Sequence, residues 1–368
     1  MINFRDYKII VIKVGSSLIV DLQNNNLRNK FLKNLARDIK KLTRMGIKIL
    51  IVSSGAMACG CNALRMNRRV LNLDKLQALS SYGQTFLIEH FKKNFAKYNL
   101  NVAQMLITNE DCQNRRHYLN MRTTIENLFE LDIIPVINEN DSIVTEEIRF
   151  GDNDNLSAQT AQLINADLLI ILSDVAGLYD KNPKINKDAK IISEIKNITP
   201  KIVKMADSET SMLGTGGMVS KIKAAQIATK GGVDVIITAG AEKNTILGLQ
   251  QNKLYSLFKA DTKPISARKK WLSNLKADAS ITIDEGAAKA LTKKKSLLPV
   301  GVVKCQGEFV RGDTVNIVVK NKVIAIGMSN INSTELEVIK GLNTDEIISK
   351  THNPTRVIVV HYNNLVLK

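Results

Sequence analysis

The sequence predicts an α/β fold, a three-layer sandwich in which a mostly parallel central sheet lies between helices, followed by a small β-rich C-terminal domain. Short runs of almost uninterrupted apolar and β-branched residues recur along the first two-thirds of the chain, which is typical of strands buried on both faces. Segments with helical periodicity separate these runs. Strands that alternate with helices in this way favour parallel pairing through crossover connections.

The apolar runs predict six strands of this sheet, at residues 8–14, 47–53, 102–108, 133–138, 167–173 and 233–239. Helical periodicity between the runs predicts five helices, at residues 29–45, 73–98, 121–131, 156–166 and 218–230. We expect the domain that these elements build to span residues 1–265.

The pattern of the chain changes across residues 265–276. The stretch SITIDEGAAKAL follows, and then four short strand-like runs that turn residues separate, namely VGVVKC, DTVNIVV, KVIAIGM and RVIVVHY. Short strands with one or two short helices suit a compact β-rich domain of about 90 residues. We expect this second domain to span residues 276–368.

The composition excludes several classes of protein. The 368 residues include 44% hydrophobic and 24% charged residues, which is unlike a disordered, collagenous or disulfide-scaffold chain. No stretch approaches the roughly 20 apolar residues of a membrane helix, and the N-terminus lacks the pattern of a secretory signal. The four cysteines have neither disulfide-framework nor zinc-site spacing. We therefore expect a cytoplasmic protein with reduced cysteines and no membrane partner.

Lysine, serine and glycine residues directly follow the first two predicted strands. Lys13 begins the string KVGSS, and the string SSGA at residues 53–56 follows the second strand. Ligands of open α/β sheets bind at the carboxyl ends of the strands. Glycine lets the backbone approach a phosphate group, and lysine supplies a point charge there. Each string alone is also compatible with an ordinary tight turn.

Short carboxylates and amides are crowded after the fourth predicted strand. Residues 138–158 read NENDSIVTEEIRFGDNDNLSA, which includes Asp141, Asp152 and Asp154. So many polar and like-charged groups beside a buried strand are unfavourable unless a cation or ligand accompanies them. The ligand order of an EF-hand is absent, and a solvated surface loop is the alternative explanation.

Two more small-residue segments follow later strands, SDVAGLY from Ser173 and GTGGMVSK at residues 214–221. The second segment opens a predicted helix, where N–H groups and the helix dipole stabilise phosphate oxygens. It fits neither the Walker A pattern nor the dinucleotide fingerprint, and a helix-capping turn is the alternative. Phosphoryl transfer requires cations on the moving phosphoryl group, an aligned acceptor and Mg²⁺ on the nucleotide. Two lysines, a polar cluster and two glycine loops meet these requirements, and we therefore predict a phosphotransferase.

With these residues the chain resembles the bacterial glutamate 5-kinases, members of the amino acid kinase family that carry a C-terminal PUA domain. The matching strings follow the family's order over nearly the full length, and they include VIKVGSS, IVSSGAMA, INENDSI, GDNDNLSA, LSDVAGLY, LGTGGMVSK and, past the linker, ITIDEGAAKAL. The resemblance implies ATP-dependent phosphorylation of the γ-carboxylate of L-glutamate to L-glutamyl 5-phosphate, the first step of proline biosynthesis. It also implies a homo-oligomer and feedback inhibition by proline through the segment Asn114–Thr124.

The resemblance also implies a role for each residue that matches a family motif. The implied catalytic residues are Lys13, Asp154 and Lys221, with Asp154 orienting the two lysines. The implied glutamate ligands are Ser54, Asp141 and Asn153. The implied ATP site consists of Lys13, Ser173, Asp174, Thr215, Gly216, Gly217, Met218, Val219, Ser220 and Lys221. The resemblance assigns no direct metal ligand, and Mg²⁺ is expected to arrive with ATP.

Two alternatives remain at this point, an RNA-binding protein and another small-molecule kinase of the same fold. The formal net charge of +17 comes from 52 Lys and Arg against 35 Asp and Glu. Residues 276–368 contain 13 basic and 9 acidic residues, which leaves 39 and 26 for residues 1–275. The charge is therefore spread evenly along the chain, whereas recognition of a phosphate backbone favours a concentrated basic surface. We do not expect a nucleic-acid partner.

Overall fold

A computed structural model of the chain describes residues 2–21, 26–67, 70–143, 153–183, 185–207, 217–240, 244–251, 253–260, 277–351 and 357–367. The chain divides into two compact units, Met1–Cys112 with Arg122–Pro264, and Gln113–Met121 with Ile265–Lys368. The predicted boundary at residues 265–276 lies outside the described residues, and the two predicted domain spans stay a prediction.

The first unit contains an eight-stranded sheet. Its strands are β1 (Ile9–Val14), β4 (Lys48–Val52), β5 (Asn101–Ile107), β6 (Ile133–Glu139), β7 (Leu168–Ser173), β8 (Glu194–Ile195), β9 (Asp234–Ala239) and β10 (Tyr255–Phe258). The order across the sheet is β5-β6-β4-β1-β7-β9-β10-β8. The six predicted strands are confirmed, and they pair in parallel with one another. The short strands β8 and β10 were not predicted, and β10 reverses direction against β9. The strands β2 (Val20–Asp21) and β3 (Asn26–Leu27) form a separate pair.

Helices pack against this sheet, and its central strands β1, β4 and β7 are buried along most of their length. The described helices of this part of the chain are α1 (Ser16–Ile19), α2 (Asn29–Arg44), α3 (Ala56–Ala63), α4 (Leu73–Ala96), α5 (Asn109–Gln113), α6 (Arg115–Glu130), α7 (Asn153–Leu163), α8 (Pro200–Asp207) and α9 (Met218–Lys230). The residues Gln113–Met121, at the end of α5 and the start of α6, belong to the second unit. Every residue of β7 is buried, as expected for a strand covered on both faces. The five predicted helices are confirmed, although α6 and α7 begin earlier in the chain than predicted. Across the described ranges, no helix is both long and apolar enough to span a bilayer.

Helices α3 and α4 approach each other so closely that glycine is required at two positions. A Cβ atom on Gly83 would lie 1.8 Å from the carbonyl oxygen of Ala56, and one on Gly60 would lie 2.0 Å from the carbonyl oxygen of Leu79. Both obstacles are main-chain atoms, which cannot rotate away as the end of a side chain can. This contact fixes the position of α3 and therefore of the turn that connects β4 to it.

The second unit has its own five-stranded sheet and its own core. The sheet order is β12-β11-β13-β14-β15, formed by β11 (Ala279–Ile283), β12 (Val302–Gln306), β13 (Thr314–Val319), β14 (Lys322–Met328) and β15 (Leu365–Leu367). Within residues 277–351 and 357–367, three helices accompany it, α10 (Glu285–Thr292), α11 (Ser333–Ile339) and α12 (Thr344–Thr351). Fully buried apolar residues such as Ile281, Val315 and Leu336 form the core of this unit.

The predicted strand RVIVVHY is wrong. The N–H of Val359 donates to the carbonyl of Leu297, whereas its own carbonyl accepts from the N–H of Asn330. Because Val359 and Val360 are buried but bond to two separate segments, they form only an isolated bridge, between Val360 and Leu297. The chain then makes a 3-10 turn before β15.

Candidate functional site

Three neighbouring parallel strands, β4, β1 and β7, carry or precede polar residues at the same edge of the large sheet. Lys13 on β1 is level with Val52 on β4 and with Ile171 on β7. Beyond this level come Ser54, which follows β4, and Ser173, which is the last residue of β7. The predicted motifs are therefore brought to the carboxyl edge of the sheet, where ligands of such folds bind.

Asp154 lies between the two lysines that the sequence motifs suggest. Its Oδ1 atom is 2.7 Å from Nζ of Lys13, and its Oδ2 atom is 3.3 Å from Nζ of Lys221. All three residues are buried, with 2%, 7% and 5% of Asp154, Lys13 and Lys221 exposed. Two ammonium groups thus contact one carboxylate, and together they present positive charge at the sheet edge. Positive charge at this edge favours an anionic ligand.

The ends of two helices place these charges. Asp154 is in the first turn of α7, where the positive end of the helix dipole stabilises a carboxylate. Lys221 is near the N-terminus of α9, where the dipole disfavours a cation. An anion at this point would be stabilised both by the ammonium group and by the N-terminal turn of α9.

Opposing effects act on the pKa of Asp154. Burial alone would raise it, because a charged group loses its hydration. The charges of Lys13 and Lys221 and the hydrogen bonds from Lys13 and Ser220 outweigh burial, and together they hold the pKa of Asp154 well below its ordinary value. Asp154 is therefore ionised throughout the physiological pH range, and it does not act as a proton carrier.

A second polar group lies beside this charge cluster. Nδ2 of Asn153 donates to Oγ of Ser54 and to Oδ1 of Asn138, both at 3.1 Å. Gly55, the residue after Ser54, has a φ of +103°, a backbone conformation that favours glycine, and it caps the N-terminus of α3. Oδ1 of Asn153 and Nδ2 of Asn138 are buried and have no hydrogen-bond partner in the described part of the chain. One acceptor and one donor are thus left for a polar ligand.

The remaining predicted site residues are Asp141, Ser173, Asp174 and those of the nucleotide loop. Asp141 follows β6 in a turn and is partly exposed. Ser173 is buried, and its hydroxyl donates to Oδ1 of the exposed Asp174 at 2.9 Å. Of the predicted nucleotide loop, Thr215 and Gly216 lie outside the described residues. The following four residues are described, with Gly217 capping α9 and Met218, Val219 and Ser220 forming its first turn.

Two contacts of this site were not predicted. The hydroxyl of Ser220 lies 2.8 Å from Oδ2 of Asp154, and the amide of Asn138 accepts from Asn153. Asn138 belongs to the polar string already noted in the sequence, and its place at the end of β6 is the signal that could have identified it. Nothing in the spacing of Ser220 indicates its partner.

The described residues do not offer a protein-built metal site. Among them, no three His, Cys, Asp or Glu side chains lie together in a way that could hold a metal ion. The buried carboxylate of the site, Asp154, already has two lysine partners.

Family comparisons agree with the two-part organisation. Residues 8–239 match the model described as the amino acid kinase family, and residues 279–351 match the PUA domain. The first match covers the sheet edge with Lys13, Asp154 and Lys221.

Curated relatives are similar along almost the entire chain. The chain is 42% identical over 364 residues to a protein of Pelagibacter ubique named glutamate 5-kinase, which covers 98% of this chain and 99% of that protein. A glutamate 5-kinase of Bartonella henselae is 44% identical over 364 residues, covering 98% of this chain and 96% of the relative. Among solved structures, carbamate kinase from Giardia lamblia bound to AMP-PNP has a TM-score of 0.50 at 16% identity, covering 70% of this chain and 100% of that one. This last likeness supports the fold alone.

Proposed function

Because the chain belongs to the amino acid kinase family and, within it, to the glutamate 5-kinases, we propose that it transfers the γ-phosphoryl group of ATP to the γ-carboxylate of L-glutamate. The products are L-glutamyl 5-phosphate and ADP, and the reaction is the first step of proline biosynthesis. The observation that carries the proposal is the buried cluster of Lys13, Asp154 and Lys221 at the sheet edge.

The acceptor needs no general base. A glutamate side chain has an ordinary pKa of about 4.3, so its carboxylate is already a nucleophile at neutral pH. A carboxylate oxygen forms a bond to the γ-phosphorus of ATP while the bond from that phosphorus to the β,γ-bridging oxygen breaks. The electron pair of the broken bond stays on ADP.

The obstacle is repulsion between two anions, and the two lysines reduce it. Buried ammonium groups stabilise charge more strongly than exposed ones, because little water screens them. Asp154 contacts both lysines through different oxygen atoms, so it sets the distance between them. We assign Lys13 and Lys221 to the transferring phosphoryl group and Asp154 to their orientation.

We assign the polar group around Asn153 to the amino acid. Ser54 and Asn153 are joined by a hydrogen bond, and Asn153 adjoins Asp154 in the chain. A glutamate substrate bound to these two residues would therefore lie next to the lysines. The buried acceptor of Asn153 suits an ammonium group. Asp141, after β6, supplies a negative charge of the kind that binds an α-amino group.

We assign ATP to Ser173, Asp174 and the N-terminal turn of α9, which is the described part of the nucleotide loop predicted at residues 215–221. The N-terminus of α9 supports this assignment, because its N–H groups can bind phosphate oxygens. Mg²⁺ is proposed to enter bound to the ATP phosphates, where it offsets part of their charge.

A coupled ADP-release assay tests the proposal directly. Purified full-length protein would be supplied with MgATP and, separately, with glutamate, aspartate, acetylglutamate or UMP. We expect turnover with glutamate and none above background with the other three. Turnover with another acceptor, and none with glutamate, would reject the substrate assignment and favour a different kinase of this fold.

Three further properties are proposed from family membership. Proline is expected to inhibit glutamate phosphorylation, which a proline titration of the same assay measures. Self-association is expected, and light scattering coupled to gel filtration measures it. A cytoplasmic location is proposed as well, and fractionation of the source cells tests it.

A further inference from the structure

We propose that Ser220 is a positioning residue that acts on phosphoryl transfer through Asp154, and not a ligand of ATP. This inference rests on the proposed function, and it departs from the family resemblance, which places Ser220 in the nucleotide loop. The residue immediately precedes Lys221 in the first turn of α9.

The two oxygen atoms of Asp154 have unequal surroundings. Oδ1 has Lys13 at 2.7 Å, a close ion pair. Oδ2 has the Ser220 hydroxyl at 2.8 Å and the Lys221 ammonium group at 3.3 Å. The neutral hydroxyl is therefore nearer to Oδ2 than the charged group is, although the ion pair would be the stronger attraction.

The hydroxyl of Ser220 has only one proton to donate. Its two possible acceptors are Oδ2 of Asp154 at 2.8 Å and the carbonyl oxygen of Gly217 at 2.9 Å. A carboxylate is the stronger acceptor because it is charged. With its proton directed to Asp154, the hydroxyl cannot donate to phosphate oxygens, which are themselves acceptors. A direct bond to ATP is therefore disfavoured.

The bond from Ser220 keeps Lys221 from closing fully onto the carboxylate. Without the hydroxyl, Oδ2 would have an unsatisfied lone pair in a buried site, which is unfavourable. The ammonium group of Lys221 is the nearest group able to fill that position. A closer Lys221–Asp154 pair would hold the ammonium group away from the phosphoryl group, so the rate of transfer would fall while ground-state binding stayed nearly constant.

Three variants of Ser220 distinguish the effect of its hydroxyl group from the effect of side-chain size. Ser220→Thr keeps the hydroxyl, Ser220→Val has the shape of threonine without it, and Ser220→Ala removes it with minimal change in volume. Thr229→Val is the matched control, because Thr229 lies on the same helix and its hydroxyl donates to the carbonyl of Ala225 one turn earlier, at 2.8 Å. Each variant is compared with the unmodified chain in kcat, in KM for both substrates and in melting temperature.

We expect kcat to fall about 10- to 100-fold in S220A and S220V, the factor that loss of a hydrogen bond to a charged group can produce. S220T should retain most of kcat, T229V should match the unmodified chain, and KM for ATP and glutamate should change less than about twofold. A crystal structure of S220V should show the Lys221 Nζ to Asp154 Oδ2 distance below the present 3.3 Å.

Two results would overturn the inference. Unchanged kcat in S220V would show that the hydroxyl has no effect on transfer, and a raised KM for ATP with unchanged kcat would identify Ser220 as a nucleotide ligand. If the unmodified chain phosphorylates another acceptor and not glutamate, the proposed function fails. The role of Ser220 is then decided by testing the same variants with that acceptor. The crystallographic distance decides it without any turnover.

Discussion

Asp154→Asn removes the negative charge between Lys13 and Lys221 while it preserves the shape of the side chain. All three residues are at most 7% exposed, so two buried ammonium groups would lose the carboxylate that both contact. Removal of one partner from a buried ion pair typically costs about 3–5 kcal/mol. For a unit of this size each kcal/mol lowers the melting temperature by about 2–4 °C, so we expect a decrease of roughly 6–20 °C.

Differential scanning fluorimetry and urea unfolding measure this change, and two controls sharpen it. Asp188→Asn removes an exposed carboxylate that pairs with Lys181, and we expect no measurable change in melting temperature. Lys13→Met combined with Asp154→Asn leaves one buried cation instead of two, so the double variant should be more stable than D154N alone. If D154N melts within about 2 °C of the unmodified chain, the assignment of Asp154 as the buried counter-charge is refuted.

The pH dependence of stability provides an independent check on Asp154. Its pKa is lower in the folded chain than in the unfolded chain, where about 3.9 is ordinary. The unfolded state therefore binds more protons between these two values, and stability rises with pH through that interval. The contribution of Asp154 is complete above about pH 5 and is lost as the pH falls toward the folded value. The difference in unfolding free energy between the unmodified chain and D154N should thus be constant from pH 5 to 7 and shrink below pH 4. A difference that stays constant to pH 3 contradicts this expectation.

Three further changes test separate parts of the structure. Lys221→Ala should lower kcat by about 100- to 1000-fold with an unchanged circular dichroism spectrum, because it removes a charge that stabilises the transition state; near-normal turnover would exclude Lys221 from the mechanism. Ser54→Ala should raise KM for glutamate by about tenfold and leave KM for ATP unchanged in steady-state assays, whereas equal changes in both would argue against an amino acid site there. Gly83→Ala should destabilise the chain by at least about 1–3 kcal/mol in urea unfolding, because its Cβ atom would meet the carbonyl of Ala56 at 1.8 Å. Gly217→Ala, whose Cβ atom has nothing within 4 Å, is the control for melting temperature.

The main strands of the large sheet were predictable because burial on both faces imposes one pattern. A strand such as β7 is buried at every position, and its five residues before Ser173 are all apolar. The edge strands β8 and β10 have two and four residues, and their pairing depends on the neighbouring chain more than on their own sequence. Helix α3 is rich in small residues, and only its contact with α4 explains their presence.

Which residues belong to the site was partly predictable, but how they touch was not. The lysines, the polar string and the glycine loop each follow a strand or open a helix, so the topology alone brings them to one edge. The hydrogen bond between Asn153 and Ser54 joins residues 99 positions apart, and no local spacing encodes it. The contact of Ser220 with Asp154 likewise depends on the packing of α7 against α9.

The close approach of α3 and α4 has a consequence for experiments that identify active-site residues by selection. Neither Gly60 nor Gly83 belongs to the polar cluster, yet any side chain at either position would collide with main-chain atoms. In a library of all single substitutions selected for growth without proline, both positions should be depleted as strongly as Lys13. Depletion alone would therefore not distinguish glycines that are required for packing from residues that are required for catalysis. A parallel measurement of protein abundance separates the two, because the glycine variants lose folded protein.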